Sequence, residues 1–400
     1  MSFDNGNRQD MIDLEWDDRN IHDYFEKREF FFPKEIITRY FMSLKTKPFV
    51  ILTGISGTGK TKIAQIFADY ICQDDPTQDR EKRIAFISVR PDWMDNKGLL
   101  GYYNLLDEKY HATSLLKLLL EAGKNPSKPY FVILDEMNLA KVEQYFSDFL
   151  SIMESRTSNN PAGEPIELCS AEDPRSQEGT PIPSKTHIPP NVYFTGTVNV
   201  DESTYMFSPK VLDRANVIEF NEVDLENYTK GFEESEMFVL ESQDIRTSLP
   251  VQDAPPFCSR TDYAKAMEIM GNKGVGFQEI LDILHPYNLH FGYRVVNEVS
   301  RFVVNANELI KDFNLYDTLD IQLLQKILPK FHGSQAKMGA PLSSLLGFCY
   351  SDGTIYNEIP TPEEIERDIR NGIVRFPRSA RKLARMLWNL KVQGYTSFID

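Results

Sequence analysis

Residues that form disulfides or bind transition metals are scarce in this sequence. The chain contains only four cysteines, which lie far apart and form no CxxC pair. It has only six histidines, and none of them stands in an HxH or HExxH arrangement. Disulfide frameworks and zinc or iron sites need such clusters. The sequence therefore favours a reducing compartment and gives no support to a zinc or iron site.

Long apolar runs and an excess of positive charge are also missing. No stretch approaches the roughly 18 uninterrupted apolar residues of a membrane span. The first 29 residues are rich in acidic side chains and lack the basic and apolar runs of a secretory signal. With 44 basic and 59 acidic side chains the net charge is −15, which repels a nucleic-acid duplex from most of the surface. We therefore expect a cytoplasmic protein without membrane contact, in which any DNA contact is local or belongs to a partner.

Five short apolar runs, rich in residues that favour strands, predict the core of the fold. Most of them are too continuous for half-exposed strands, and helical patterns separate several of them, so they indicate a parallel sheet covered on both faces. The expected fold class is α/β: a doubly wound, parallel, five-stranded sheet, followed by an all-helical smaller domain. The five runs are Phe49–Thr53, Ile84–Val89, Tyr130–Leu134, Val192–Thr197 and Val217–Phe220.

Changes of composition predict the domain limits. Residues 1–29 are expected to be a flexible acidic arm, residues 30–223 the α/β domain, and residues 224–400 the helical domain with a C-terminal extension. Residues 155–190 are rich in Asn, Pro, Gly and Ser and predict a surface insertion such as a hairpin. Residues 333–375 give no clear pattern. Helical periodicity predicts a lead-in helix at Lys34–Leu44 and later helices at Phe277–Leu284, Val295–Leu309, Ile321–Leu328 and Ser379–Leu390.

A glycine-rich turn follows the first apolar run. Residues Gly54–Thr61 match every fixed position of GxxxxGK[ST], with a strand pattern before them and a helical pattern after them. Such a turn points consecutive backbone N–H groups inward at a helix N-terminus, so that it cradles a polyphosphate. Lys60 would reach the β- and γ-phosphates, and the Thr61 hydroxyl would ligate Mg²⁺. The predicted nucleotide-binding residues are Gly54, Ile55, Ser56, Gly57, Thr58, Gly59, Lys60, Thr61 and Lys62.

Two adjacent carboxylates end the third apolar run. Because neighbouring residues at a strand tip point to different sides, Asp135 and Glu136 can have different tasks. Asp135 would hold Mg²⁺ through water, together with Thr61, and Glu136 would be the general base for the water that attacks the γ-phosphate. The alternative is a solvated acidic strand end.

Two further polar residues complete the predicted site. Asn199, at the tip of the fourth run, would bond to both the γ-phosphate and the attacking water. Arg214 ends the short helix Ser208–Arg214 just before the last run. Its own phosphate loop is not expected to use it, whereas in a ring it would enter the neighbouring subunit's site and stabilise transition-state charge. The alternative for this arginine is a surface salt bridge with Asp213.

The assembled residues resemble the AAA+ superfamily and, within it, the motor-subunit branch represented by McrB of modification-dependent restriction systems. The resemblance covers roughly residues 34–332. The runs that carry it are Gly54–Thr61, Asp135–Asn138, Asn199–Ser203, Ser208–Arg214 and Phe291–Arg294.

This resemblance implies a Mg²⁺-dependent nucleoside triphosphatase that hydrolyses ATP or GTP as a homo-oligomeric, hexameric ring. It also implies a motor that acts on DNA through its assembly and activates a separate, McrC-like nuclease or effector subunit in an anti-phage or restriction system. A second sensor that reaches the γ-phosphate from the small domain is expected at Arg294, with Arg378 as the alternative.

Two other functions stay open at this point. One is a protein-remodelling AAA+ chaperone similar to the MoxR group, which needs no DNA. The other is a switch that binds nucleotide to set its assembly state and turns over little. The segment Arg90–Tyr103 would face the pore of a ring, where Trp93 and Tyr102 either grip a partner or pack against the core.

Overall fold

The computed structural model describes residues 17–157, 159–171, 173–200, 205–221, 238–249, 258–271, 277–351 and 359–399. Residues 1–16 of the predicted arm and the run Asp201–Ser203 lie outside the described residues. The α-helices are α1 (Ile21–Glu26), α2 (Lys34–Thr46), α3 (Lys60–Cys72), α4 (Thr77–Arg83), α5 (Lys97–Leu100), α6 (Ser114–Lys124), α7 (Val142–Tyr145), α8 (Ser147–Ser155), α9 (Pro209–Leu212), α10 (Arg260–Met270), α11 (Phe277–Leu284), α12 (Tyr293–Leu309), α13 (Leu315–Gln322), α14 (Gln335–Phe348), α15 (Pro362–Arg370) and α16 (Pro377–Gln393). The strands are β1 (Phe49–Gly54), β2 (Ile84–Ser88), β3 (Gly101–Asn104), β4 (Lys109–Ala112), β5 (Tyr130–Asp135), β6 (Ile166–Glu167), β7 (Lys185–Thr186), β8 (Val192–Asn199), β9 (Asn216–Phe220), β10 (His332–Ser334) and β11 (Tyr395–Ser397).

Five of these strands form the central sheet. Their order is β2-β5-β8-β1-β9, and every neighbouring pair is parallel. Strands β1, β5 and β8 are buried along almost their whole length, as continuous apolar runs predict for the centre of a parallel sheet. The predicted five-stranded parallel sheet is confirmed.

Side chains of the sheet alternate between two separate cores, because successive residues of a strand point to opposite faces. Val50 and Leu52 of β1 pack in a core with residues of α1, α2 and α3. Phe49 and Ile51 enter the other core, with residues of α6 and α8. The sheet is therefore covered by helices on both faces, which is the doubly wound arrangement that the sequence predicts.

Two short antiparallel ribbons are added to this core. Strands β3 and β4 form one hairpin, and β6 pairs with β7 in the segment that the sequence marks as an insertion. That segment is not confined to the surface, because Ile166, Ile182 and Ile188 are buried in the same core as α6 and α8. Apolar side chains scattered through a polar run thus anchor the segment to the core.

The chain after β9 is mainly helical, in agreement with the predicted second domain. Helix α12 packs against both α10 and α2, and α14 packs against α16. The structure adds a small antiparallel ribbon, in which β10 pairs with the C-terminal strand β11, so this region is not entirely helical. In the part of the chain that the structure describes, every helix is too short or too polar to cross a membrane.

Candidate nucleotide-binding site

The glycine-rich turn joins the end of β1 to the start of α3. Gly54 has a φ of 146°, and a Cβ there would lie 2.3 Å from the carbonyl oxygen of Phe220. Gly59 has a φ of 91°, and a Cβ there would lie 2.7 Å from the ring of Phe32. Glycine is required at both positions by the backbone angle and by the close neighbours. The turn thus has the backbone form that a phosphate-binding loop needs.

Within this turn, Ile55, Ser56 and Gly57 are exposed to solvent, where a polyphosphate can approach. The Thr58 hydroxyl donates to the Ile55 carbonyl oxygen at 2.9 Å and closes the turn. Lys62, on the first turn of α3, is exposed and places its ammonium group 5.9 Å from the ring centroid of Phe30.

Lys60 lies beneath the turn rather than in solvent. Its side chain is buried, and Nζ donates to the carbonyl oxygens of Gly54 at 2.8 Å and Ile55 at 2.6 Å. These bonds hold the ammonium group beside the backbone amides that follow Ile55. A phosphate bound by those amides would therefore meet the Lys60 charge.

The two predicted metal ligands are in direct contact. Thr61 Oγ1 donates to Asp135 Oδ1 at 2.7 Å, because β1 and β5 end at the same edge of the sheet. Hydroxyl and carboxylate oxygens are ligands that suit Mg²⁺. The donor set therefore fits the cation that the sequence predicts, with Thr61 and Asp135 as the residues that would hold it.

A third side chain in this contact was missed by sequence reasoning. Thr197 Oγ1 donates to Asp135 Oδ1 at 2.8 Å and accepts the backbone N–H of Glu136 at 3.0 Å. Thr197 is buried in β8, two residues before Asn199 and on the same face of the strand. One available signal was this alternation of polar side chains within a strand that is otherwise mostly apolar.

Glu136 and Asn199 also meet at this edge. Glu136 has φ 51° and ψ 51°, a left-handed conformation that is uncommon for a residue other than glycine and that recurs at functional sites. The turn brings Glu136 Oε1 within 3.3 Å of Asn199 Nδ2, which donates to it. The next residue, Met137, is buried, and Gly196 makes room for it, because a Cβ at Gly196 would lie 2.5 Å from Met137 Sδ.

Arg214 lies at the opposite edge of the sheet from the phosphate loop. It precedes Asn216, the first residue of β9, which pairs with Val50. Gly54 is four residues farther along β1, so the strand puts roughly 13 Å between this edge and the loop. Arg214 therefore lies away from the phosphate loop of its own subunit.

Among the described residues, the ion pair of Arg214 is with Glu154 of α8 and not with the Asp213 considered from the sequence. Arg214 Nε donates to Glu154 Oε2 at 3.0 Å. Arg294 pairs with the other oxygen of Glu154 and with the Asp213 carboxylate. Burial alone would raise the pKa of Glu154, but Arg214 and Arg294 together hold that pKa below its usual range.

The structure does not bring Arg294 to the phosphate loop. Its contacts with Asp213 and Glu154 place it beside Arg214, at the wrong edge of the sheet for a sensor of its own chain's nucleotide. The sequence favours Arg294 as the second sensor, and this arrangement does not place it where a second sensor would act. Four residues, Phe291–Arg294, resemble the family locally, but they carry no information about the direction in which α12 begins.

Arg378 lies on the phosphate-loop side instead. Its guanidinium donates to both carboxylate oxygens of Glu35, at 2.8 and 2.9 Å. Glu35 is in the first turn of α2, three residues after Phe32, whose ring lies against Gly59. Of the two candidates that the sequence offers, the structure places only Arg378 near the nucleotide-binding edge.

Of the two aromatic residues that the sequence singles out in the predicted pore-facing segment, Trp93 packs against the core and Tyr102 is half exposed. The ring of Trp93 packs against Tyr145, with centroids 5.5 Å apart. Tyr102 is 46% exposed and stacks on His111. Of these two residues, Tyr102 is the one that presents a substantial aromatic surface to solvent.

Two family models match the chain. Residues 49–215 match the AAA domain (dynein-related subfamily), a range that includes the phosphate loop, both carboxylates, Asn199 and Arg214. Residues 257–395 match a domain of unknown function, DUF8727. The nucleotide-binding half and the helical part thus match separate family models.

A curated relative points to one branch of the superfamily. Over 199 residues, 50% of the chain, the sequence is 23% identical to the type IV methyl-directed restriction enzyme EcoKMcrB subunit of Escherichia coli strain K12. The chain spans 39% of the length of that relative.

Two solved structures show only remote likeness. A DNA polymerase III gamma subunit-related protein from Thermotoga maritima aligns over 87% of this chain and 96% of its own, with 9% identity and a TM-score of 0.23. The ORC2 protein of Aeropyrum pernix aligns over 90% of this chain and 94% of its own, with 10% identity and a TM-score of 0.27. Scores this low carry no argument. The sheet order, the phosphate loop with its carboxylates, and the AAA domain match over residues 49–215 identify this part of the chain as a nucleoside triphosphatase domain of the AAA+ superfamily that is similar to McrB.

Proposed function

We propose that this protein is a ring-forming, Mg²⁺-dependent nucleoside triphosphatase whose active sites are completed between subunits. One observation carries the proposal. Lys60, Thr61, Asp135, Glu136 and Asn199 converge at the carboxyl edge of the sheet, whereas Arg214 lies at the amino edge. In a head-to-tail ring, the amino edge of one subunit can face the carboxyl edge of the next.

The residues at the carboxyl edge divide the chemistry among them. Backbone N–H groups of Gly54–Thr61 and the Lys60 ammonium bind and orient the polyphosphate. Thr61 and Asp135 would hold Mg²⁺, which when bound neutralises charge on the phosphate oxygens. Glu136 accepts a hydrogen bond from the attacking water, and Asn199 Nδ2, which donates to Glu136 Oε1, orients that carboxylate. Arg214 of the neighbour stabilises the charge of the transition state.

The biological role of the proposed motor is inferred from its similarity to the EcoKMcrB subunit. That protein is named as a subunit of a methyl-directed restriction enzyme. We infer that this chain forms a hexameric ring in the cytoplasm, which drives DNA translocation or activates a separate, McrC-like nuclease subunit. Its net charge of −15 fits DNA contact through the assembly rather than through most of this surface. The substrate is ATP or GTP.

The test is steady-state hydrolysis of ATP and of GTP by the assembled protein. Glu136→Gln is expected to lower kcat by about 10²–10⁴-fold, because it removes the general base. Arg214→Ala is expected to lower it by about 10³–10⁵-fold. Glu108→Gln is a matched control, since Glu108 is exposed and also has a positive φ, of 52°. Parental activity in either test variant would overturn the role of that residue.

The task is tested separately from the chemistry. Stimulation of hydrolysis by DNA, in the presence of a nuclease partner, is the result expected for a restriction motor. Stimulation by a protein client alone would favour a MoxR-like remodelling function. A ring that forms with nucleotide but turns over at the rate of Glu136→Gln would indicate an assembly switch.

A further inference from the structure

A buried lysine from the helical region holds the backbone on both sides of Arg214. Lys326 lies in a π-helical turn, Leu323–Ile327, that follows α13. Its side chain is fully buried, and Nζ donates to the carbonyl oxygens of Asp213 at 2.7 Å and Ala215 at 3.0 Å. The two acceptors flank Arg214 in the sequence. A single ammonium group therefore bridges the main chain on the two sides of this arginine.

The charge of Lys326 is costly to bury and is compensated within the protein. Glu298 of α12 forms an ion pair with Lys326 at 2.5 Å and also pairs with Lys47, at the end of α2. Burial lowers the pKa of Lys326 to about 7, although Glu298 acts against this change. Buried ion pairs are often no more stabilising than apolar packing of the same volume. Stability alone thus does not explain a lysine at this position. Its two hydrogen bonds to the Asp213 and Ala215 carbonyl oxygens do explain it.

Two more cations from the same helical region hold Asp213. Arg294 and Lys330 each form an ion pair with the Asp213 carboxylate. Arg294 also pairs with Glu154, which in turn holds the guanidinium of Arg214. The segment Asp213–Ala215 therefore contacts the helical region through backbone and side chain alike. A shift of α12 or of the π-helical turn would move this segment or break these bonds.

We propose that Lys326 is a positioning residue for Arg214, through which the helical region of one subunit sets the arginine that acts in the neighbour's site. This inference rests on the proposed function, in which Arg214 acts between subunits. Lys326 binds the chain at the amino edge of the sheet, away from the residues that would hold nucleotide and Mg²⁺ in its own subunit, so its effect is on the hydrolytic step in the neighbouring subunit. π-helical turns within helices are often found at functional sites, which agrees with such a role.

The test separates the subunit that donates the arginine from the subunit that hydrolyses nucleotide. Glu136→Gln subunits keep Arg214 but lack the base, and Arg214→Ala subunits keep the base but lack the arginine. A mixture of the two is expected to regain hydrolysis at interfaces where a Glu136→Gln subunit presents its Arg214 to the site of an Arg214→Ala subunit. Adding Lys326→Met to the Glu136→Gln subunit is expected to lower the regained kcat by about tenfold or more, part of the 10³–10⁵-fold effect of such an arginine. KM is expected to stay unchanged.

Lys326→Met placed in the Arg214→Ala subunit is expected to have little effect. The regained rate should stay close to that of the mixture of Glu136→Gln and Arg214→Ala subunits without Lys326→Met. Lys382→Met is the matched control, because Lys382 is also buried and donates at 2.6 Å to both Glu219 and the Phe398 carbonyl. An equal loss from Lys326→Met in either subunit, as a folding defect would give, overturns the inference alone. No loss in the donor subunit overturns it as well. A mixture that regains no activity, or full activity of Arg214→Ala by itself, overturns the proposed function and the inference with it.

Discussion

Thr197 joins two residues with different tasks in the proposed chemistry. One hydroxyl donates to Asp135 and accepts from the backbone of Glu136. It therefore fixes the carboxylate that would hold Mg²⁺ and, through the main chain, the start of the turn that aims the proposed base. Groups that orient ligands in this way affect activity without touching the substrate.

Thr197→Val, which keeps the shape and removes the hydroxyl, is expected to lower kcat by about 10–100-fold. Thr195→Val is the matched control, since Thr195 lies two residues earlier on the same face of β8, and its hydroxyl bonds to Tyr40 at 2.7 Å. Each change leaves a buried polar group without its partner and should cost about 1–3 kcal/mol of stability. Steady-state hydrolysis and urea unfolding of both variants distinguish the two effects. Equal kcat values for the two variants would contradict the proposed role of Thr197.

The residues at the strand ends could be predicted because their chemistry depends on spacing along the chain. A phosphate loop or a pair of carboxylates after a strand is visible in a one-dimensional pattern. The alternation of polar residues in β8 marks Thr197 only as polar and on the face of Asn199, and no such pattern marks the roles of Gly196 and Phe32. Their roles depend on Asp135, Met137 and Gly59, which lie opposite them only after the sheet has formed.

At the level of elements, Glu298 links three parts of the fold. It pairs with Lys47 at the end of α2 and with Lys326 in the π-helical turn, while its own helix is α12. Burial alone would raise the pKa of Glu298, but the two lysines lower it to about 2. A carboxylate with a lowered pKa stabilises the fold fully above its unfolded value of about 4.5, and this contribution is lost as the pH falls toward 2.

Glu298→Gln is therefore expected to cost about 3–5 kcal/mol of unfolding free energy at pH 7, because it leaves two buried lysines without their counter-charge. The difference from the parent protein should shrink as the pH is lowered below about 4.5. Urea unfolding of both proteins at a series of pH values measures this. Glu308→Gln, on an exposed position of the same helix, should show little difference at any pH. A constant gap between Glu298→Gln and the parent from pH 7 to 3 would contradict the proposed linkage.

The elements themselves were predictable to different degrees. The strands of the central sheet have short but nearly continuous apolar runs and α12 has a long helical pattern, and the structure agrees with both to within a few residues. Helix α14 was not predicted, because it contains Gly339 and Pro341, which disfavour a helix interior. Its buried side chains, including Leu342 and Leu345, provide packing that outweighs these local preferences. The sequence pattern of α14 alone does not show which other elements its buried side chains pack against.

At the scale of the whole molecule, ionic contacts join the helical region to both edges of the sheet. At the amino edge, Lys326 and Arg294 hold the segment around Asp213. At the carboxyl edge, Arg378 pairs with Glu35, and Lys382 pairs with Glu219, which lies opposite Thr53 in the sheet. Because the phosphate loop lies at the carboxyl edge, a movement of the helical region on nucleotide binding would first change the ion pairs at that edge.

Arg378→Ala and Arg294→Ala should therefore have different effects. Arg378 is 12% exposed and faces three carboxylates, those of Glu35, Asp317 and Asp320, so its loss is expected to cost about 3–5 kcal/mol without nucleotide. Arg294 is 36% exposed, and its loss should cost about 1 kcal/mol or less.

The same two variants decide which arginine senses the γ-phosphate. If Arg378 turns from Glu35 toward bound nucleotide, Arg378→Ala should lose the preference for a non-hydrolysable triphosphate over the diphosphate. Arg294→Ala should keep that preference but lower kcat in the mixed assemblies when it is placed in the donor subunit, because Arg294 holds Asp213 and Glu154 beside Arg214. Equilibrium binding of both nucleotides to each variant, with hydrolysis in the mixtures, measures this. Loss of the preference in Arg294→Ala alone would restore that residue as the second sensor and would require α12 to begin at the other edge of the sheet in the nucleotide-bound protein.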